Sequence, residues 1–169
     1  SRRWLNPEEA NDLSILDPRS VQQVTQNAWP VMSSPDEVHD ALMTLGYLFE
    51  SEIEASARPH LQWLQRDHRA ALFRHSRHPL WCAAERVPWI KRVFGETGNL
   101  LEFEPPDIET HLPQTLLNPT LDFHDALKDL LRSRLAACGP TNTETLARAL
   151  SLPSSSVETA LTALESEGT

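Results

Sequence analysis

Between residues 75 and 82 the chain reads His75-x-x-His78-x-x-x-Cys82, a spacing of nitrogen and sulfur donors that suits a metal ion. A structural zinc site needs four convergent ligands. Only His60 or His68 could complete the set, and no second paired motif stands elsewhere. The histidines therefore read as surface groups near a turn, and no metal is expected. Nucleophilic chemistry is no better served. Ser154, Ser155 and Ser156 have no histidine nearby, Cys138 falls on an apolar helical face, and His124 stands alone. Each reads as a cap, core or surface residue, and no catalytic residue is expected.

The chemistry these residue types do support is contact with phosphate. The chain carries 15 Lys and Arg against 24 Asp and Glu, a net charge of −9, which excludes a uniformly basic, histone-like coat. The charge is uneven, however. Residues 60–92 hold Arg66, Arg69, Arg74, Arg77, Arg86, Lys91 and Arg92 against only Asp67 and Glu85, a local +5 that leaves −14 for the rest. Gln62, Gln65, Arg66 and Arg69 would share the polar face of one helix, beside a turn carrying Arg77 and His78. Such a face suits phosphates and could reach base edges. The candidate nucleic-acid-binding residues are therefore Gln62, Gln65, Arg66, Arg69, Arg74, Arg77, Arg86, Lys91 and Arg92. The competing reading is a solvated face, or one ion-paired to the acidic stretch that follows. Among the five tryptophans, Trp63 and Trp81 are expected in the core, and Trp29 could seal a helix against it. Trp4 and Trp89 fall in less regular segments. Trp89, beside Lys91 and Arg92, could stack on an unpaired base, although packing is the commoner role.

The elements that would position these groups can be read from caps and periodicity. Asp17-Pro18 starts a first helix with Val21, Val24 and Ala28 on one face, ended by Trp29-Pro30. Ser34-Pro35-Asp36-Glu37 is a capping box, Val38, Ala41, Leu42 and Leu45 form an apolar stripe, and Gly46 offers a stop. After a short acidic segment at 51–55, a third helix spans 59–69 with Leu61 and Leu64 inward. Strands follow at 71–75 and 80–84, joined by Ser76-Arg77-His78-Pro79. Helices followed by a hairpin are the order of a winged helix-turn-helix. Residues 93–121 are acidic and proline-rich and read as a partly extended connector.

A second helical region spans 123–138, with Ala126, Leu127, Leu130, Leu131 and Leu135 on its apolar side and Gly139-Pro140 stopping it. Thr141-Asn142-Thr143-Glu144 and Ser155-Ser156-Val157-Glu158 read as capping boxes of two further helices. The words His39-Asp40-Ala41-Leu42 and His124-Asp125-Ala126-Leu127 open the first core helix of each half, which suggests a tandem repeat. The fold expected is mainly α with small β-wings (α+β): tandem winged-helix modules, the second truncated before its wing. The boundaries are 1–33 for an N-terminal segment with one helix, 34–92 for module one, 93–121 for the connector and 122–169 for module two.

The 169 residues suffice for one ordinary domain or two small ones, and 13 prolines exclude a long uninterrupted helix. The longest apolar run, five residues from 80 to 84, is too short to cross a bilayer, and no membrane partner is expected. Two cysteines and no signal peptide favour the cytoplasm. The lack of an initiator Met and the stop inside a module suggest an excised fragment.

Asp12-Leu13-Ser14-Ile15-Leu16-Asp17-Pro18, Ala28-Trp29-Pro30, Glu37-Val38-His39-Asp40-Ala41-Leu42 and Leu80-Trp81-Cys82-Ala83-Ala84-Glu85-Arg86 together carry a resemblance. They resemble the C-terminal region of Lhr-type (long helicase-related) superfamily 2, DEAD/DEAH-box-like helicases of bacteria, over roughly 12–92 and 122–168. Cys82 departs from the family's small aliphatic residue, and Phe49 stands where the family often has Thr. The resemblance implies ATP-dependent motor domains elsewhere, translocation on single-stranded DNA, and C-terminal winged-helix modules that bind nucleic acid or assemble the protein. No P-loop and no Asp-Glu-x-His box occurs here, so this chain is expected not to be an enzyme and to hold no cofactor, with ATP and Mg belonging to the motor. Expected partners are DNA, single-stranded or duplex, other domains of the parent chain, and a possible second copy; DNA repair is the implied setting. The last helix exposes acids and no Lys or Arg, which makes module two a packing or protein-contact unit. The alternatives are a protein-interaction or oligomerisation scaffold without DNA contact and a stand-alone winged-helix regulator.

Overall fold

The computed structural model describes residues 29–74, 78–95, 102–117, 122–137 and 141–168. The expected first helix at 18–28, the hairpin tip with His75 and Arg77, and Cys138 lie outside the described residues.

Helix α1, Pro35–Leu45, starts as its sequence dictates. Ser34 is the N-cap, its hydroxyl accepting from the Glu37 N–H at 3.2 Å, and Gly46 closes the helix at φ +83°. A Cβ on Gly46 would sit 3.4 Å from Leu130 and Ser133, so this glycine also admits the neighbouring helix. Strand β1 (Leu48–Phe49) leads into 3-10 turns at Glu50–Glu52 and Ala55–Ala57, then helix α2, Arg58–Arg66. Strands β2 (Ala70–Phe73) and β3 (Leu80–Ala83) form the expected hairpin, and helix α3, Val87–Gly95, follows.

The acidic stretch at 93–121 does more than connect. Its Phe103–Glu104 is strand β4, paired antiparallel with β2, and Ile108 in the following 3-10 turn is buried. A short helix α4 (Gln114–Leu117) precedes α5 (Phe123–Ala137), α6 (Thr143–Leu150) and α7 (Ser154–Ser166). Two expected caps move. Asn142 rather than Thr141 caps α6, its carbonyl oxygen accepting from Thr145 N–H at 2.8 Å. Helix α7 begins behind Pro153, whose fixed φ pre-sets the first turn and whose carbonyl accepts from Ser156 and Val157; Ser155 already lies inside the helix.

The described residues form a mostly helical protein with a small antiparallel sheet of order β1-β3-β2-β4. Its strands alternate between two apolar clusters. Ala70, Leu72, Trp81 and Ala83 face the cluster of α1 and α2, which includes Val38, Leu42, Leu61 and Leu64. Ala71, Phe73, Leu80 and Cys82 face a larger cluster that runs through α3 and α5 to Leu161 and Leu164 of α7. Covered on both faces, β3 is buried at every position. Helix α5 is the hub, packing on α1, α3 and α7. No helix among the described residues is long and apolar enough to cross a membrane.

Candidate nucleic-acid interface

Helix α2 buries Leu61 and Leu64 and turns Gln62, Trp63 and Arg66 outward. The expectation of a core Trp63 is corrected: the residue is 47% exposed. Trp81 does enter the core, its indole N–H donating to the Glu50 carboxylate. Trp89 is half-buried, its indole N–H donating to Asp129 at 3.2 Å and its ring facing the Arg86 guanidinium at 5.3 Å.

The basic stretch is largely met by acids from the same chain. Arg69 pairs with Asp36 at 3.2 Å, Arg74 with Glu104 at 2.5 Å, and Lys91 with Glu109. Gln65 donates its amide to the Glu104 carbonyl at 2.9 Å. His68 meets Asp107 at 3.1 Å, and this hydrogen bond holds the Asp107 carboxyl below its usual range. Strand β4 and the turn after it thus lie along the edge of the basic face, pinned by backbone pairing to β2. Such partly exposed pairs contribute little stability, but they cancel the field a phosphate would feel. Gln62, Arg66 and Arg92 remain exposed. Arg66, Arg86 and Arg92 have no acidic partner among the described residues, and Arg66 makes only a long 3.4 Å contact to the Gln62 carbonyl. Of the expected residues, the structure keeps Gln62 and Arg66 together on α2 and draws Gln65, Arg69, Arg74 and Lys91 into contacts within the chain.

The donors of the metal-like motif do not converge within what is described. Cys82 is fully buried on the sheet, and burial pushes its thiol well above the usual range, with Glu85 adding to the effect. His78 stands edge-on to Phe49 at 5.9 Å. Among the described residues no three His, Cys, Asp or Glu side chains are grouped to hold an ion. A groove of about 820 Å³ beside Trp29 and Met32 is lined, among the described residues, by Glu52, Glu54 and His60 and by no Lys or Arg, so it suits phosphate poorly.

Sequence reasoning missed Arg134, which is only 5% exposed. Its guanidinium donates to the Tyr47 carbonyl at 3.0 Å, pairs with Glu52, and lies 4.9–5.7 Å from the ring centroids of Trp29, Tyr47 and Phe49. The available signal was a charged residue on the stripe Leu127, Leu131, Arg134, at i, i+4 and i+7, where the helix faces inward. Fold and surface together define a mainly helical α+β protein with a part-neutralised basic face. No protein-family model matches the chain, and no curated protein matches it in sequence.

Proposed function

We propose that the chain is a non-catalytic accessory region of an Lhr-type DNA helicase, built of winged-helix-like modules and touching nucleic acid through the outer face of α2. The order α1, β1, α2 and the β2–β3 hairpin, with β1 beside β3, supports a winged-helix reading of the first half. The observation that carries the nucleic-acid reading is the outward Gln62, Trp63 and Arg66 on the helix before the hairpin, with Arg66 free of an acidic partner among the described residues. Phosphate contact by a few cations gives salt-sensitive binding with little sequence preference. Fluorescence anisotropy with labelled DNA at low and moderate salt tests it. Arg66→Glu combined with Arg92→Glu is expected to weaken binding about tenfold or more and flatten the salt dependence. Unchanged affinity would remove this face from the function.

A second reading, a scaffold that contacts other protein without DNA, is favoured by the pairing of Arg69, Arg74 and Lys91 with acids of the same chain. Salt-independent association in sedimentation, with no DNA binding, is its expected signature.

A further inference from the structure

Trp63 and Val31 are the large apolar side chains left exposed among the described residues. Trp63 stands in the middle of the outward face of α2, while Leu61 and Leu64 root that helix in the core. Arg66 lies three residues further on, so the two side chains are neighbours on the helix surface, about 5–6 Å apart at Cβ. Gln62 flanks the indole on the same exposed side. A flat aromatic face beside a guanidinium without an acidic partner among the described residues, and an amide, matches what one nucleotide offers: a base to stack, a phosphate to pair, an edge to hydrogen-bond.

We propose that Trp63, with Arg66 and Gln62, forms a stacking platform for unpaired nucleotides, so that this surface selects single-stranded over duplex nucleic acid. The proposal rests on the nucleic-acid reading above and goes further by naming the form of ligand. In a duplex the base faces are covered by their neighbours, and an indole on a helix surface has nothing to stack on. Charge alone cannot give this selectivity, because both forms present phosphates. Asp67, exposed four residues from Trp63, and the paired state of Arg69 and Arg74 reduce the electrostatic share. Stacking therefore supplies a large part of the affinity.

The test uses the whole chain with a fluorescein-labelled oligothymidylate and a labelled duplex of similar length. Trp63→Ala is expected to weaken binding to the oligothymidylate about five- to tenfold and to change duplex affinity less than about twofold. Trp63→Phe should keep most of the single-strand affinity. Arg66→Gln should weaken both ligands alike, since it removes a phosphate contact. Circular dichroism of each variant should match the parent, because the substituted side chains are exposed. Equal loss on both ligands for Trp63→Ala, with Arg66→Gln still effective, would overturn the stacking platform and leave the nucleic-acid reading standing. No binding by the parent chain would overturn both. A change in self-association on Trp63→Ala, with oligothymidylate binding unchanged, would assign the indole to a protein contact and overturn the proposal.

Discussion

At the scale of single residues, Arg134 carries the heaviest structural role. It joins α5 to the β1 region through the Tyr47 carbonyl and the Glu52 carboxylate, between aromatic rings. Glu52 in turn accepts from the Phe49 N–H at 2.9 Å, so the carboxylate fixes backbone as well as charge. Arg134→Met keeps the volume but strands Glu52, and a loss of about 3 kcal/mol in urea unfolding is expected. Adding Glu52→Gln should recover part of that loss, the mark of a coupled pair. A second residue-level expectation concerns acid. The His39 hydrogen bond at 2.8 Å holds the Glu85 carboxyl below its usual value. Its contribution is fully present above the ordinary value near 4.5 and is lost as pH falls through the lowered folded value. His39→Gln should therefore flatten the fall in urea stability as the pH drops below the ordinary value near 4.5. Neither contact was legible in the sequence. Arg134 and Glu52 lie far apart in the chain, as do His39 and Glu85, and local spacing carries no record of which distant groups meet.

At the scale of elements, local signals were legible where short-range chemistry decides. Ser34 caps α1 and Gly46 ends it because the groups they serve are within a few residues. The hairpin also forms where alternation and turn residues placed it, with Ala70 opposite Ala83 and Phe73 opposite Leu80. The acidic stretch was harder. Its prolines and carboxylates suggested a free connector, yet Phe103 and Ile108 anchor it in the larger cluster and its acids meet the basic face. Two apolar residues among charges give no periodicity, so only the tertiary partner makes this strand. The pairing has a functional consequence that can be measured. Glu104→Gln with Glu109→Gln releases Arg74 and Lys91 without disturbing the buried anchors. DNA affinity at low salt is expected to rise about threefold or more. A scaffold without DNA contact would show no rise.

At the scale of the whole molecule, the two occurrences of His-Asp-Ala-Leu have a physical meaning. Ala41 and Leu42 in α1, and Ala126 and Leu127 in α5, are all buried, and the two helices pack on each other. Residue patterns suggested two modules in series. The larger apolar cluster runs continuously from Tyr47 through the sheet to Leu164, joining the halves in one core. Packing between halves leaves no local signature, which is why a shared core was not readable from the two patterns.

The burial of β3 on both faces turns Cys82 into a clock. Its thiol meets no solvent and resists ionisation, so a thiol reagent can modify it only while the sheet is open. In Cys138→Ser protein, the labelling rate at fixed pH then reports how often the layers part. If the shared core opens as one unit, that rate should rise as the global unfolding free energy falls across a denaturant series. A denaturant-independent rate would show that the sheet edge breathes on its own while the helices stay packed.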